Sequence, residues 1–366
     1  MKELYMKRAI ELAERGRGFV NPNPLVGAVI VKDGKIIGEG YHEQYGKAHA
    51  EVNAFLNATE DVRDADMYVT LEPCSHYGKT PPCALKIIEK GIKRVFVSSL
   101  DPNPLINFRG IELLKQAGIE VEYGILEEIT NKQNEIFFHY IKNKTPFVAL
   151  KYAMTLDGKI ATVNGDSKWI TNEFSRLYVH ELRNQHMAIL VGVNTIIEDN
   201  PMLNSRLDYP ARNPIRIILD PNLRISPKAF VITTAKEQPT YIVTFHNNNI
   251  DKMNHLSELG VKFIIQEQVQ EIDINQLMID LGKLNIDSVL VEGGSTTHGK
   301  MLSAGVVHKI YAFIAPKVIG GKNALSPIGA EGIPLMKDAI LLEDQEVKFF
   351  DKDICIIGYI KNRGGN

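Results

Sequence analysis

Four residues in the first quarter of the chain have the types and the order of a metal-dependent hydrolytic site. His49 and Glu51 come first, and Cys74 and Cys83 follow, the first of them directly after a proline. Imidazole and thiolate are ligand types that zinc prefers, and three protein ligands leave one tetrahedral position for water. Glu51 is two residues beyond the first ligand, where it could move protons without binding the ion. The four residues therefore predict a catalytic zinc site.

The spacing of the cysteines departs from the pattern typical of zinc-dependent nucleobase deaminases, H-x-E followed by P-C-x-x-C. The stretch here is PCSHYGKTPPC, with eight residues between the two cysteines. An inserted loop of this kind would place His76 and Lys79 near the open zinc position. A structural zinc site, with His42 or His76 as the fourth ligand, is the alternative, but it gives no reason for the adjacent Glu51. Two buried cysteines without a metal are a further alternative.

These residues require elements that bring them together. From residue 1 to about 125, short β-type runs alternate with helical runs. LVGAVIV and KIIGEGY flank an Asp33-Gly34 turn and predict a hairpin. A helix from about His49 to Ala58 would carry Glu51. Cys83 follows two prolines at a helix start, where the helix dipole favours its thiolate. The alternation predicts a three-layer α/β domain.

Chain length and composition indicate a second domain. The 366 residues exceed the usual domain size of about 150, and the stretch from Glu127 to Pro146 is polar and rich in amides. We place the boundary near Asn143 to Pro146, which gives domains 1–145 and 146–366. A new α/β series follows, with strands such as TPFVALKYAM, MAILVGV, PIRIILD and DSVLVEG.

The overall charge and the cysteine count exclude several classes of protein. A formal net charge of −2 gives no strong attraction to nucleic acid or to acidic membranes. Three cysteines cannot form a disulfide framework in so long a chain. The first residues lack the features of a signal peptide, and no apolar run reaches the roughly 18 residues that span a bilayer. We expect a cytoplasmic protein with no nucleic-acid or membrane partner.

A pair of glycines marks a second candidate site. Glu292-Gly293-Gly294-Ser295 follows an apolar strand and precedes a short helical run, so backbone amides could approach a phosphate. The pattern is not G-x-G-x-x-G, which disfavours a classical Rossmann site. From these residues alone, a simple turn remains an equal alternative.

Motifs along the N-terminal half resemble a known family. NPNPLVGAVIV, HAE, EPCSHYGKTPPC and DPNPL, in this order, closely resemble the N-terminal half of the bifunctional riboflavin-biosynthesis deaminase/reductases, which has a cytidine-deaminase-like fold. The long cysteine spacing is that family's own, whereas INFRGI, from Ile106 to Ile111, departs from its pattern. The resemblance implies that His49, Cys74 and Cys83 bind zinc and that Glu51 donates and accepts the proton. It also implies contacts to the pyrimidine or its ribose phosphate from Asn23, His42, His76 and Lys79.

The C-terminal half resembles the reductase half of the same family, which has a dihydrofolate-reductase-like fold. KYAMTLDGKIAT, SKWIT, LRNQHMAILVGVNTIIEDNPMLNSR and VEGGS carry the likeness, so the match covers nearly the whole chain. NADPH contacts are implied for Ala153, Trp169, Thr195, Asp199, Gly294, Ser295, Thr296, Thr297, His298, Gly299 and Lys300. Substrate contacts are implied for Ser167, Arg183, Leu203, Arg206 and Glu292.

The chemistry of these side chains agrees with such roles, although each has a simpler alternative. Arg183 and Arg206 have fork-like donors for a phosphate, and Glu292 can bond ribose hydroxyls. Arg183 could instead pair with a carboxylate on its own helix. Likewise, Trp169 could be ordinary packing, and Asp199 could cap the following Asn-Pro turn.

The resemblance implies a bifunctional enzyme of riboflavin biosynthesis. It would hydrolytically deaminate 2,5-diamino-6-ribosylamino-4(3H)-pyrimidinone 5′-phosphate with zinc, and then reduce the ribosyl group to ribityl with NADPH. We expect a homo-oligomer whose partner is this small molecule. Two rivals are a nucleic-acid-editing deaminase with an RNA-binding C-terminal half and a non-enzymatic zinc scaffold with four protein ligands.

Overall fold

The structure, a computed structural model, describes residues 1–75, 77, 81–103, 108–246, 249–267 and 271–361. The chain divides into an N-terminal unit, Met1–Lys144, and a C-terminal unit, Thr145–Asn366. None of the helices in the described ranges is long and apolar enough to cross a membrane.

The N-terminal unit is built on a mixed five-stranded sheet. Its elements are α1 (Lys2–Glu14), β1 (Gly27–Lys32), β2 (Lys35–Tyr41), α2 (Ala50–Leu56), β3 (Asp66–Leu71), α3 (Cys83–Glu89), β4 (Arg94–Ser99), α4 (Arg109–Gln116), β5 (Glu120–Tyr123), α5 (Glu127–Gln133) and α6 (Glu135–Asn143). The strand order is β2-β1-β3-β4-β5. β1 is antiparallel to both of its neighbours, and β3, β4 and β5 run parallel.

Helices cover both faces of this sheet because its central strands are apolar on both sides. In β1, Ala28 and Ile30 pack with α2, α3 and α4. Val29 and Val31 point the other way and pack against α1. The expected hairpin is present, and Asp33 and its glycine both have positive φ. The observed layers are those expected from the alternating pattern.

The C-terminal unit contains a nine-stranded sheet in its described residues. Its elements are β6 (Phe147–Thr155), α7 (Glu173–Gln185), β7 (Ala188–Gly192), α8 (Val193–Asp199), β8 (Ile215–Leu219), α9 (Phe230–Thr233), β9 (Thr240–Phe245), α10 (Ile250–Glu258), β10 (Val261–Gln266), α11 (Ile274–Lys283), β11 (Ser288–Gly293), α12 (Ser295–Ser303), β12 (Lys309–Ala315), β13 (Leu342–Phe350) and β14 (Asp353–Ile360). The strand order is β10-β9-β8-β7-β11-β6-β12-β14-β13.

Seven of these nine strands are parallel, and β14 and β13 are added antiparallel at one edge. The side chain of Leu190 packs on the face covered by α11 and α12. Its neighbours Ile189 and Val191 pack on the face covered by α8, α9 and α10. The carboxyl ends of β6, β7 and β11 therefore lie side by side, which is where ligands bind in open parallel sheets.

The polar stretch from Glu127 to Pro146, near whose end we placed the domain boundary, contains two helices, α5 and α6. Phe137 and Tyr140 of α6 are buried, three residues apart on one helix face. The abundance of amide and charged residues concealed this short apolar face. As a result, α6 belongs to the N-terminal unit, where it forms part of the wall of a cavity described below.

Candidate active sites

Three separate elements bring His49, Cys74 and Cys83 together. His49 is the extended N-cap of α2, Cys74 follows β3, and Cys83 is the first residue of α3. His49 Nδ1 lies 3.7 Å from Cys74 Sγ and 3.3 Å from Cys83 Sγ. The three ligand atoms all lie within 4.8 Å of one another, and among the described residues no fourth ligand joins the group. One nitrogen and two sulfurs form a donor set suited to zinc.

Electrostatics favour a negative charge at the two sulfurs. A hydrogen bond from the Cys83 thiol, aided by His49, lowers the pKa of Cys74 to about 4. The Cys83 backbone N–H also donates to Cys74 Sγ, at 3.2 Å. Cys83 holds the shared proton, and its pKa is raised by the bond to Cys74 and by burial. A cation that binds both sulfurs would displace this proton.

Glu51 lies beside the cluster without belonging to it. It is the second residue of α2 and only 3% exposed. Burial, together with the charge of Cys74, raises the pKa of Glu51 to about 7. A carboxyl group with such a pKa can take up and release a proton near neutral pH.

The cluster opens into a cavity of about 480 Å³, a volume typical of small-molecule sites. Its polar lining includes Asn23, Lys47 and Asp101. Phe137 and Ile141 of α6 form an apolar part of the wall. Sequence reasoning missed the contribution of α6, and the helical spacing of its aromatic residues was the signal that could have revealed it.

Hydrogen bonds hold the His42 ring at the wall of this cavity. Burial lowers the pKa of this imidazole, which favours its neutral form. Nδ1–H then donates to the Ala48 carbonyl at 3.0 Å, and Nε2 accepts from Asn23 Nδ2 at 3.1 Å. Both ring nitrogens are therefore used within the protein. His42 is not part of the three-residue ligand group, but it lines the cavity and orients Asn23, so its contact with a substrate stays a prediction.

Glu72, which the sequence analysis did not single out, lines the cavity and binds the start of α4 through hydrogen bonds. Its buried carboxylate accepts hydrogen bonds from the backbone N–H groups of Phe108, at 3.1 Å, and Gly110, at 2.9 Å. A Cβ on Gly110 would lie 2.0 Å from the Pro73 carbonyl oxygen, so only glycine allows this approach. The end of the unusual INFRGI segment is thus tied to the residues that precede Cys74.

Two predicted contacts, His76 and Lys79, lie outside the described residues, and so does Ile106 of the INFRGI segment.

In the C-terminal unit, Arg183 and Glu292 form a buried, bidentate ion pair. Arg183 Nε and Nη2 donate to the two carboxylate oxygens at 2.5 and 2.8 Å, and Nη1 donates to the Asn204 carbonyl at 3.0 Å. Lys151 Nζ lies 3.7 Å from Glu292 Oε2. Burial by itself would raise the pKa of Glu292, but these two cations outweigh it and lower the pKa to about 2. The partner of Arg183 is therefore on β11, not on its own helix, as the alternative supposed.

Arg206 and Leu203, two other expected substrate contacts, differ in exposure to solvent. Arg206 is exposed, and its Nη2 lies 3.2 Å from His180 Nε2. Burial and the charges of both arginines lower the pKa of His180 to about 4, so its neutral ring can accept this bond. By contrast, the side chain of Leu203 is 3% exposed and packs in the core, with φ of 51°. A substrate contact of Leu203 therefore stays a prediction, and it would be made by the backbone of this residue and not by its side chain. Ser167 is partly exposed.

The glycine pair brings α8 and α12 together. A Cβ on Gly293 would lie 3.1 Å from Thr195 Oγ1, so the hydroxyl packs directly on the glycine backbone. Thr297, in the first turn of α12, lies close to Gly192 in the same way. The first backbone N–H groups of α12, those of Ser295 and Thr296 among them, have no acceptor within the helix and can bind a phosphate.

The last three residues of the predicted cofactor segment contact other parts of the C-terminal unit. His298 Nδ1 bonds to the Pro327 carbonyl at 2.8 Å, and Lys300 Nζ pairs with Glu271 at 3.0 Å. Gly299 packs against the Gly329 carbonyl. Their amides are bonded within the helix by its i to i−4 pattern. The His298 ring and the Lys300 ammonium are thus engaged elsewhere in the C-terminal unit, and cofactor contacts from these three residues stay predictions.

Three further predicted cofactor residues remain accessible. Trp169 is 63% exposed, with the Arg176 guanidinium 4.7 Å from its ring centre, so it is not ordinary core packing. Asp199 pairs with Lys168 at 3.4 Å. Ala153 is partly exposed on β6.

Comparisons with known families agree with both sites. Residues 1–99 match the cytidine and deoxycytidylate deaminase zinc-binding region, and residues 146–356 match the RibD C-terminal domain. The riboflavin biosynthesis protein RibD of Actinobacillus pleuropneumoniae is 48% identical over 96% of this chain and 93% of its own length. That of Bacillus amyloliquefaciens is 46% identical over 99% of this chain and 97% of its own.

Solved structures extend the likeness to the whole fold. RibD of Acinetobacter baumannii has a TM-score of 0.89 at 35% identity and covers 99% of both chains. A diaminohydroxyphosphoribosylaminopyrimidine deaminase/5-amino-6-(5-phosphoribosylamino)uracil reductase of Thermotoga maritima has a TM-score of 0.83 at 40% identity, covering 98% of this chain and 99% of its own.

Likeness of this extent, together with the two folds, defines the class of protein: an enzyme that joins a zinc-binding deaminase of the cytidine-deaminase type to a reductase with a dihydrofolate-reductase-like fold. The chain belongs to the RibD family, the bifunctional deaminase/reductases of riboflavin biosynthesis. The family, the fold class and the two cofactors predicted from the sequence motifs, zinc and NADPH, are thereby confirmed.

Proposed function

We propose that residues 1–145 deaminate 2,5-diamino-6-ribosylamino-4(3H)-pyrimidinone 5′-phosphate and that residues 146–366 reduce its ribosyl group to ribityl. The observation that carries this proposal is the group of three ligand atoms, with the buried Glu51 beside it, at the end of a 480 Å³ cavity. The name of the Thermotoga maritima relative supports the order of the two steps and the class of substrate.

His49, Cys74 and Cys83 hold the zinc ion in this proposal. When bound, zinc supplies a Lewis acid that makes water nucleophilic near neutral pH. Glu51 accepts a proton from the attacking water as its oxygen bonds to the ring carbon that bears the amine. It delivers this proton to the departing amine, so that the exocyclic C–N bond breaks and ammonia leaves. The raised pKa of Glu51 supports both transfers. Asn23, oriented by His42, contacts the substrate from the cavity wall.

The reductase site positions NADPH and the sugar, and NADPH supplies the hydride when it is bound. Cofactor phosphate groups bind at the first turn of α12, at Gly294 to Thr297. Thr195 lies against the same glycines, and Ala153, Trp169 and Asp199 line the neighbouring surface. The fit of this group rests on unpaired helix amides next to close-packed glycines, which is a phosphate-binding arrangement.

The substrate side of the reductase is formed by Arg206, Ser167 and the Arg183–Glu292 pair. Arg206 is exposed and binds the ribose phosphate. Arg183 orients the Glu292 carboxylate, whose remaining lone pairs accept hydrogen bonds from ribose hydroxyls. Arg183 therefore acts through Glu292 in this proposal, not as a free phosphate ligand.

The enzyme acts on a small molecule, and we further propose that it is a cytoplasmic homo-oligomer that does not bind nucleic acid. The net charge of −2 supports the last point, because a nucleic-acid-editing enzyme requires a basic surface. Exposed apolar side chains support self-association, among them Leu335, Met336 and Phe349, which are 52%, 90% and 72% exposed.

The decisive experiment is to incubate the zinc-loaded protein with the diaminopyrimidinone nucleotide, with and without NADPH, and to identify the products by mass. Without NADPH, we expect ammonia and a product in which a carbonyl oxygen replaces an amine. With NADPH, we expect that product to gain two hydrogens. Failure to release ammonia would refute the deaminase assignment, whereas ammonia release from RNA bases would favour the editing enzyme.

A further inference from the structure

Asn134 is a buried amide that bonds to both backbone groups of a single distant residue. Its Oδ1 accepts from the Leu25 N–H at 2.8 Å, and its Nδ2 donates to the Leu25 carbonyl at 3.0 Å. The two residues are 109 positions apart, and Asn134 is 3% exposed. A side-chain amide has one acceptor and two donors, so it can pair with a backbone residue as a neighbouring strand would.

The two segments that Asn134 joins both contribute to the deaminase cavity wall. Leu25 directly follows Asn23 and Pro24, which line the cavity. Asn134 is the N-cap of α6, and Phe137 and Ile141, three and seven residues further on, line the cavity as well. These spacings place both side chains on the helix face nearest to Asn134. One side chain thus ties the two wall segments together through two hydrogen bonds.

Asn134 makes no contact with the groups that carry out the chemistry. Glu51 and the three ligand residues are positioned by α2, α3 and the end of β3, whereas Asn134 lies between α5 and α6. The link from Asn134 runs through Leu25 to Asn23, and from Asn23 to His42. Its loss should therefore displace Asn23 and widen the cavity while leaving the ligand group in place.

We propose that Asn134 is a positioning residue that sets substrate affinity in the deaminase by holding residues 19–26, the Asn23 loop, against α6. The proposal rests on the deaminase function proposed above. It predicts a rise in KM without a comparable fall in kcat, because the bound substrate still meets an intact Glu51 and metal group.

The test compares Asn134→Ala with Asn134→Asp and with a matched control, Gln133→Ala. Asp keeps an acceptor for the Leu25 N–H but loses the donor to its carbonyl. Gln133 is the adjacent amide, and its Nε2 bonds to the Ile10 carbonyl of α1 instead of the Asn23 loop. Measured quantities are KM and kcat for ammonia release, zinc per chain, reductase kinetics, and hydrogen–deuterium exchange over residues 19–26 and 49–56.

For Asn134→Ala we expect KM to rise by about tenfold, which is the effect of losing roughly 1.4 kcal/mol of binding, with little change in kcat. Zinc content, reductase kinetics and exchange in residues 49–56 should equal those of the wild type, while residues 19–26 exchange faster. Asn134→Asp should also raise KM, and Gln133→Ala should leave it unchanged.

An unchanged KM in Asn134→Ala, or an equal rise in Gln133→Ala, would overturn the proposal. So would a loss of zinc or of reductase activity, because the effect would then be global. If the wild-type protein releases no ammonia from the nucleotide, the proposed function fails separately. The exchange data still decide the positioning role in that case, and unchanged exchange in residues 19–26 overturns it.

Discussion

Removal of the Arg183 side chain should destabilise the C-terminal unit strongly. Arg183→Met would leave the carboxylate of Glu292 buried, 6% exposed at its side chain, with only Lys151 at 3.7 Å to compensate it. A buried charge that loses its partner costs about 3–5 kcal/mol. The Arg183 donor to the Asn204 carbonyl is lost as well, which adds to the expected cost.

A double-mutant cycle separates the cost of the unpaired buried charge from the cost of lost packing. Glu292→Gln removes the negative charge, so Arg183→Met in that background leaves no buried carboxylate behind. We expect the two single substitutions to sum to more than the double, with a coupling free energy of about 2 kcal/mol. Arg206→Met is a suitable control, since Arg206 is exposed and its guanidinium bonds to the neutral ring of His180 instead of a buried carboxylate.

The assay is denaturant unfolding followed by the fluorescence of Trp169, the single tryptophan of the chain, which lies in the C-terminal unit. Ammonia release measured in parallel serves as an internal control, and it should be unaffected in Arg183→Met. Additive single effects would refute the reasoning, because they would mean that the ion pair contributes no coupling. A normal unfolding midpoint in Arg183→Met would refute it as well.

Two further predictions concern the ionisable groups. Glu51→Gln should bind zinc as the wild type does, yet release ammonia at least about a hundredfold more slowly, as metal analysis and steady-state kinetics would reveal; near-normal turnover would exclude Glu51 as the proton carrier. The pKa of Glu292 falls from 4.5 to about 2 on folding, so its contribution to stability is complete above pH 4.5 and is lost as the pH drops toward 2. Glu292→Gln should remove this part of the acid dependence, and a Trp169 acid-unfolding curve of unchanged steepness in the variant would contradict the assignment.

Much of the fold could be read from the sequence because its central strands are buried on both faces. Such strands appear as continuous apolar runs, as in β1, β7 and β11, and α7 and α11 begin directly after the capping residues Asn172 and Asp273. β13 gave no such signal. Its sequence, LEDQEVKFF, is mostly polar or charged, and the strand is partly or fully exposed throughout. It forms because β14 offers an edge to pair with, which is a tertiary condition.

The residue types of the deaminase site predicted its chemistry, but they did not predict which partners its side chains would contact. Only certain side chains bind zinc, so His49, Cys74 and Cys83 could be singled out in advance, and the structure brings them together. In the reductase half, the resemblance implied a substrate contact for Leu203, but the sequence did not show that its side chain packs in the core.

By itself, the sequence determined the family, the two fold types and the kinds of chemistry available, since these depend on residue identity and local spacing. Only the tertiary structure decided that His42 is engaged with Asn23, that Arg183 pairs with Glu292, and that Asn134 holds Leu25. The last two contacts each join residues 109 positions apart. No local periodicity encodes contacts of this range, because they arise from the packing of whole elements against each other.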